Sequence, residues 1–86
     1  MSTSQTGDEL SRSLRDLRLA AGLTSVAAAE SAGIGQAALS RYERGQLVPT
    51  RTRLDALLAT YRAPAEVADR LRAMVDDLRA ENRRVV

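Results

Sequence analysis

Gln36, Ala37, Ser40, Arg41 and Arg44 follow one another at intervals of one, three, one and three residues within the stretch QAALSRYER. On a helix those intervals gather all five on one face. The face carries a carboxamide, a hydroxyl and two guanidinium groups, whose chemistry is hydrogen bonding and attraction of anions rather than proton transfer or nucleophilic attack. The rest of the chain offers little else. It has no cysteine and no histidine, so thiolate chemistry is excluded and only carboxylates, Tyr42 and Tyr61 remain as acid–base candidates. No ligand set has the density of a metal site, and there is no carboxylate dyad or phosphate loop. The composition therefore predicts a protein that is not an enzyme and has no cofactor. Asp76 and Asp77 read as a solvated helix face.

The charge is unevenly spread. All thirteen basic residues are arginine, the net charge is +2 and the pI is about 9.9. From Arg41 to Arg62 there are five arginines against Glu43 and Asp55, whereas from Pro64 onward five arginines balance five acids. A basic stripe in mid-chain points to an anionic partner. With two tyrosines as the only aromatics, a stacking platform for single strands is not expected. No apolar run approaches the ~20 residues of a membrane span. The opening MSTSQTG lacks the basic start and apolar stretch of a signal peptide, which predicts a cytoplasmic protein.

The elements that must position this face all read as helix. Alanine, leucine and arginine dominate, and no β-branched run alternates at period two. Residues 1–7 read as a flexible polar tail. A first helix is expected from Asp8 to Ala21, with Thr6 and Glu9 as a capping box and Leu10, Leu14, Leu17 and Ala21 as its apolar stripe. Thr24 caps a second helix over Ser25–Ala32. The third spans Gln36–Arg44 and buries Leu39 and Tyr42. Thr50 caps a fourth over Arg51–Arg62, with Leu54, Leu57, Leu58 and Tyr61 inward. Pro64 opens a fifth, bearing Val67, Leu71, Met74, Val75 and Leu78 along one side. The expectation is an all-α, five-helix fold, divided into a domain at 8–63 and an amphipathic C-terminal helix at 64–86.

The second and third helices are short and joined by Gly-Ile-Gly, which describes a helix-turn-helix over about 25–44. Ala28, Ala29 and Ala32 permit a close crossing, and Gly33 turns the backbone. Residues 10–62 resemble the lambda-repressor-like, Xre-type helix-turn-helix family. The resemblance rests on SLRDLRLAAGLT, on Ala29, Gly33 and Leu39 at the motif's spacing, and on LSRYERG and VPT. The flow into LLATYRAP is similar to the actinobacterial branch. The resemblance implies double-stranded DNA as partner and the third helix as the recognition helix. Gln36, Ala37, Ser40 and Arg41 take its base-reading positions, where glutamine suits adenine and arginine suits guanine. It implies that Ser25, Arg44, Arg51 and Arg53 hold phosphates. Ser25 stands where the family has glutamine, and Ala28 and Ala32 stand where it has leucine. The resemblance also implies an ion pair between Arg18 and Glu43.

Val67, Leu71, Met74 and Leu78 step by four, three and four. Such a seam suits a homodimer or a docking surface, or packing back on the first and fourth helices. The leaning is toward the dimer or docking surface, because about twenty residues is long for packing on so small a domain. An alternative function follows from it: a protein-interaction module, such as an antitoxin-like regulator holding a small partner protein. Proteins of the actinobacterial branch usually carry a further regulatory domain beyond this point, so the resemblance implies a C-terminal regulatory domain as another expected partner.

Overall fold

The computed structural model describes residues 3–85. Its elements are α1 (Thr3–Ala20), α2 (Ser25–Ala32), α3 (Gln36–Glu43), α4 (Arg51–Tyr61) and α5 (Ala65–Val85). The five-helix, all-α expectation is met, and the caps explain most of the boundaries. Thr24 Oγ1 accepts the Ala27 N–H at 3.1 Å and Thr50 Oγ1 accepts the Arg53 N–H at 3.2 Å. Each satisfies one of the free donors of a helix's first turn. Gly33 closes α2 at φ 69°, where the Ile34 N–H bonds back to the Ala29 carbonyl at 2.9 Å, the pattern of a glycine-terminated helix. The left-handed conformation that ends α4 falls on Arg62, at φ 54°, a geometry that a side chain makes costly.

Two N-terminal expectations are corrected. The helix starts at Thr3, so residues 3–7 of the supposed tail are helical; Met1 and Ser2 lie outside the described residues. The Thr6–Glu9 pair consequently sits inside α1 and does not cap it. Gly7, costing about 1 kcal/mol relative to alanine, is not enough to break the helix. The other end of α1 is one residue shorter than expected, which leaves Ala21 exposed.

One core serves all five helices. Leu14, Leu39, Leu54, Leu57, Leu71 and Val75 are fully buried together with Pro49, and Ala28, Ala29, Ile34, Tyr42, Tyr61 and Leu78 surround them. α2 packs on α3 and α4, α1 on α3 and α4, and α5 on both α1 and α4. Alanine at 28 is no defect here, because its methyl group is completely enclosed. The seam of α5 is also corrected. Leu71 and Leu78 lie in this chain's own core, while Val67 and Met74 are half-buried against it, so the stripe faces α1 and α4 rather than a partner. Arg72 reinforces that docking by donating from Nε to Asp55 of α4 at 2.8 Å. Among the described residues, no helix is long and apolar enough to cross a membrane.

Candidate nucleic-acid interface

α3 is anchored from beneath and open above. Leu39 and Tyr42 are buried, whereas Gln36, Ala37, Arg41 and Arg44 are exposed and Ser40 is half-buried. The four residues that carry base contacts by resemblance thus share one accessible face. The Tyr42 hydroxyl accepts a 2.8 Å hydrogen bond from Arg53 Nη1, so an α4 arginine is tethered to the underside of α3. Arg53 keeps its other guanidinium N–H groups for a further acceptor.

The flanking elements supply the rest of the surface. Ser25 opens α2, and its Oγ accepts from Gln36 Nε2 at 3.5 Å, long enough to be easily exchanged for a ligand contact. The backbone N–H groups of Ser25 and Val26 donate to nothing among the described residues. Arg51 behaves differently from its neighbours. Its Nη1 lies 2.9 and 3.1 Å from the two carboxylate oxygens of Asp76 on α5. A cation in the first turn opposes the helix dipole, and Asp76 is the anion that offsets it. Asp76 is accordingly not merely part of a solvated face.

Beneath α3 lies the ion pair. Arg18 donates from Nε to Glu43 Oε2 at 2.8 Å, from Nη2 to Glu43 Oε1 at 3.1 Å, and from Nη1 to the Leu23 carbonyl at 2.9 Å. Both side chains are only slightly exposed, 13% and 11%. The hydrogen bond to Glu43 raises the guanidinium's pKa, burial works against it, and the carboxylate's charge adds to the rise. One fork therefore joins α1, the turn into α2 and the end of α3, which sets the angle at which α3 is presented.

Tyr61 feels the charges of this pair, and its buried hydroxyl has no hydrogen-bond partner among the described residues. Burial pushes its pKa up to about 12, the Glu43 charge adds to the rise and Arg18 opposes it. A folded-state pKa above the unfolded value of about 10 stabilises the fold fully below that pH and is lost as pH climbs toward 12. Tyr61→Phe is expected to raise stability at neutral pH by about 1 kcal/mol, since it removes an unpaired buried hydroxyl. It should also flatten the alkaline loss. Urea unfolding at about pH 8 and about pH 11 checks both; a variant as alkali-sensitive as the parent would contradict the assignment.

A hollow of about 260 Å³ opens beside α3, lined among others by Arg15, Ser25, Gln36, Ser40 and Arg44. It brings α1, α2 and α3 to one place. A family model described as a helix-turn-helix domain matches residues 9–71. The chain belongs to the helix-turn-helix domain family. No curated protein matches it. The match to the helix-turn-helix domain runs from α1 into α5 and ends at Leu71, a residue of the common core. Within this domain, two features escaped the reading of the sequence. Asp76 pairs with a residue 25 positions away, a separation that carries no periodic signal. Arg15 did have one: it precedes Arg18 by three residues, so it lies on the same face of α1, one turn away.

Proposed function

We propose that the protein is a sequence-specific regulator of transcription that lays α3 in the major groove of double-stranded DNA. The observation that carries this reading is the division of α3 into two faces. Leu39 and Tyr42 lock one into the core, and Gln36, Ala37 and Arg41 are exposed on the other. A helix so held can present an amide and a guanidinium to base edges without losing its position. Arg44, Arg53 and Ser25 flank it as phosphate contacts, which fix register. Such a regulator works in the cytoplasm and needs no catalytic step.

Selection of bound sequences from a random duplex library tests the reading. Enrichment of a motif is the expected result. An inverted repeat with half-sites about 34–36 Å apart identifies a homodimer on DNA, and a single half-site identifies a monomeric reader. Folded protein that enriches nothing overturns the reading in favour of a protein-interaction module. Affinity should also fall steeply with salt, because neutralised phosphates release counterions.

Arg51 adds a prediction of its own. Its pairing with Asp76 makes a neighbouring carboxylate the competitor of a DNA phosphate. Asp76→Asn is expected to tighten duplex binding several-fold and to steepen the logarithmic salt slope by up to about 0.9, one phosphate's worth. Titrations at several salt concentrations measure it, and a slope equal to the parent's removes Arg51 from the interface.

A further inference from the structure

The hollow beside α3 has a charge imbalance, and one of the arginines behind it, Arg15, has no role in the reading above. Three arginines line it, Arg15, Arg18 and Arg44, against one carboxylate, Glu43. Both oxygens of Glu43 are already taken by Arg18, which leaves its floor neutral. Arg15 from α1 and Arg44 from the end of α3 are exposed, and their guanidinium groups make no hydrogen bond or ion pair among the described residues. Two like charges around one hollow repel unless an anion lies between them. The rest of the hollow's lining is polar: Ser25, Gln36 and Ser40. Its volume of about 260 Å³ falls below the roughly 300–1,000 Å³ of pockets that enclose small molecules. It suits a group presented on a larger partner.

We propose that Arg15 and Arg44 together seat a single backbone phosphate of duplex DNA, making α1 a direct part of the interface. This rests on the DNA-binding reading above and extends it to a helix that the sequence reading left out of contact. The seat orients the duplex without reading it, because a phosphodiester is the same at every step. Two guanidinium groups converging on one phosphate also hold α1 and α3 at a fixed separation when DNA is bound.

The test uses the full chain and a random-sequence duplex of about two helical turns, ~20 base pairs, so that it does not depend on an operator. Affinity is measured across salt for the parent, Arg15→Gln, Arg44→Gln, the double variant, Arg15→Lys, and Arg70→Gln as control. Arg70 is exposed on α5 beside a separate hollow between α1 and α5. Each single glutamine variant is expected to bind several-fold more weakly. The double variant should lose about 0.9 from the salt slope per bound protomer, the share of one phosphate. Arg15→Lys, which keeps the charge, should hold the slope, and Arg70→Gln should match the parent. A loss of about 1.8 per bound protomer in the double variant means two separate phosphates and overturns the shared seat. An unchanged slope overturns the site altogether. A loss that Arg15→Lys shares, with a lowered melting temperature, overturns it in favour of a structural role. A parent chain without salt-dependent duplex binding overturns both this proposal and the function it rests on. Salt-dependent binding with the expected slopes but no enriched motif upholds the seat and defeats only the sequence-specific reading.

Discussion

Arg18→Ala is expected to destabilise the protein by about 3 kcal/mol, the largest effect of any single arginine. The guanidinium makes three hydrogen bonds, two to Glu43 and one to the Leu23 carbonyl, and all three are lost together. Glu43 would be left with little access to water and no opposite charge. Stranding one member of a buried pair costs about 3–5 kcal/mol. The lower end applies, because the pair retains some contact with solvent and Arg15 and Arg44 line the same hollow. Against a total stability of about 5–15 kcal/mol for a small domain, that is a large share. It should lower the melting temperature by on the order of 10–20 °C. Arg12→Ala, at an exposed site on the same helix, should change stability by no more than about 0.5 kcal/mol. Thermal unfolding of both variants checks the prediction, and equal melting temperatures would refute it. Replacing both partners, Arg18→Met with Glu43→Leu, should recover much of the loss, since no charge is then stranded.

How much of this was legible in the sequence depended on whether the deciding interaction was local. α2, α3 and α4 follow from caps and breaks that lie within a few residues of the boundary they set: Thr24, Gly33, Gly45 with its left-handed φ of 73°, Thr50 and Pro64. Their inward residues follow from spacing. The start of α1 did not, because Thr6 and Glu9 have the spacing of a local cap while nothing around them forbids a longer helix except one glycine. The stripe of α5 failed for a different reason. A step of four, three and four describes equally a seam for a second chain and a ridge for the chain's own groove. Only the presence of α1 and α4 beside Leu71 and Leu78 decides between them.

The candidate site divides in the same way. The open face of α3 could be read from the intervals between Gln36, Ala37, Ser40, Arg41 and Arg44. The pairing of Arg18 with Glu43 came only from resemblance, since nothing in a separation of 25 residues announces it. The same separation hid the bond between Arg51 and Asp76. That bond changes what Arg51 means: a first-turn arginine that looked available to phosphate already has an anion. Arg53, two residues on, is instead tied to Tyr42, a neutral acceptor that leaves its full positive charge in place.

Arg41→Ala separates the proposed DNA reading from every structural role that α3 plays. The side chain is exposed and makes no hydrogen bond or ion pair among the described residues, so its removal should shift stability by no more than about 0.5 kcal/mol. Alanine is also a better helix former than arginine, which keeps α3 intact. Its effect on binding should be much larger. A bidentate arginine–guanine contact discriminates by about 1–3 kcal/mol, which corresponds to roughly 10–100-fold weaker binding to the selected sequence. The loss must be selective. Binding to a scrambled duplex should fall far less, and the enriched motif should relax at one base pair while its other positions persist. That selectivity distinguishes Arg41 from Arg44, whose removal should weaken all duplexes alike. Parallel titrations of the selected and scrambled duplexes, with a repeat selection on the variant, measure each part. An equal loss on both duplexes would make Arg41 another phosphate contact and leave Gln36 as the remaining candidate for reading sequence. No loss on either would turn α3 away from the groove and point to a protein partner on that face.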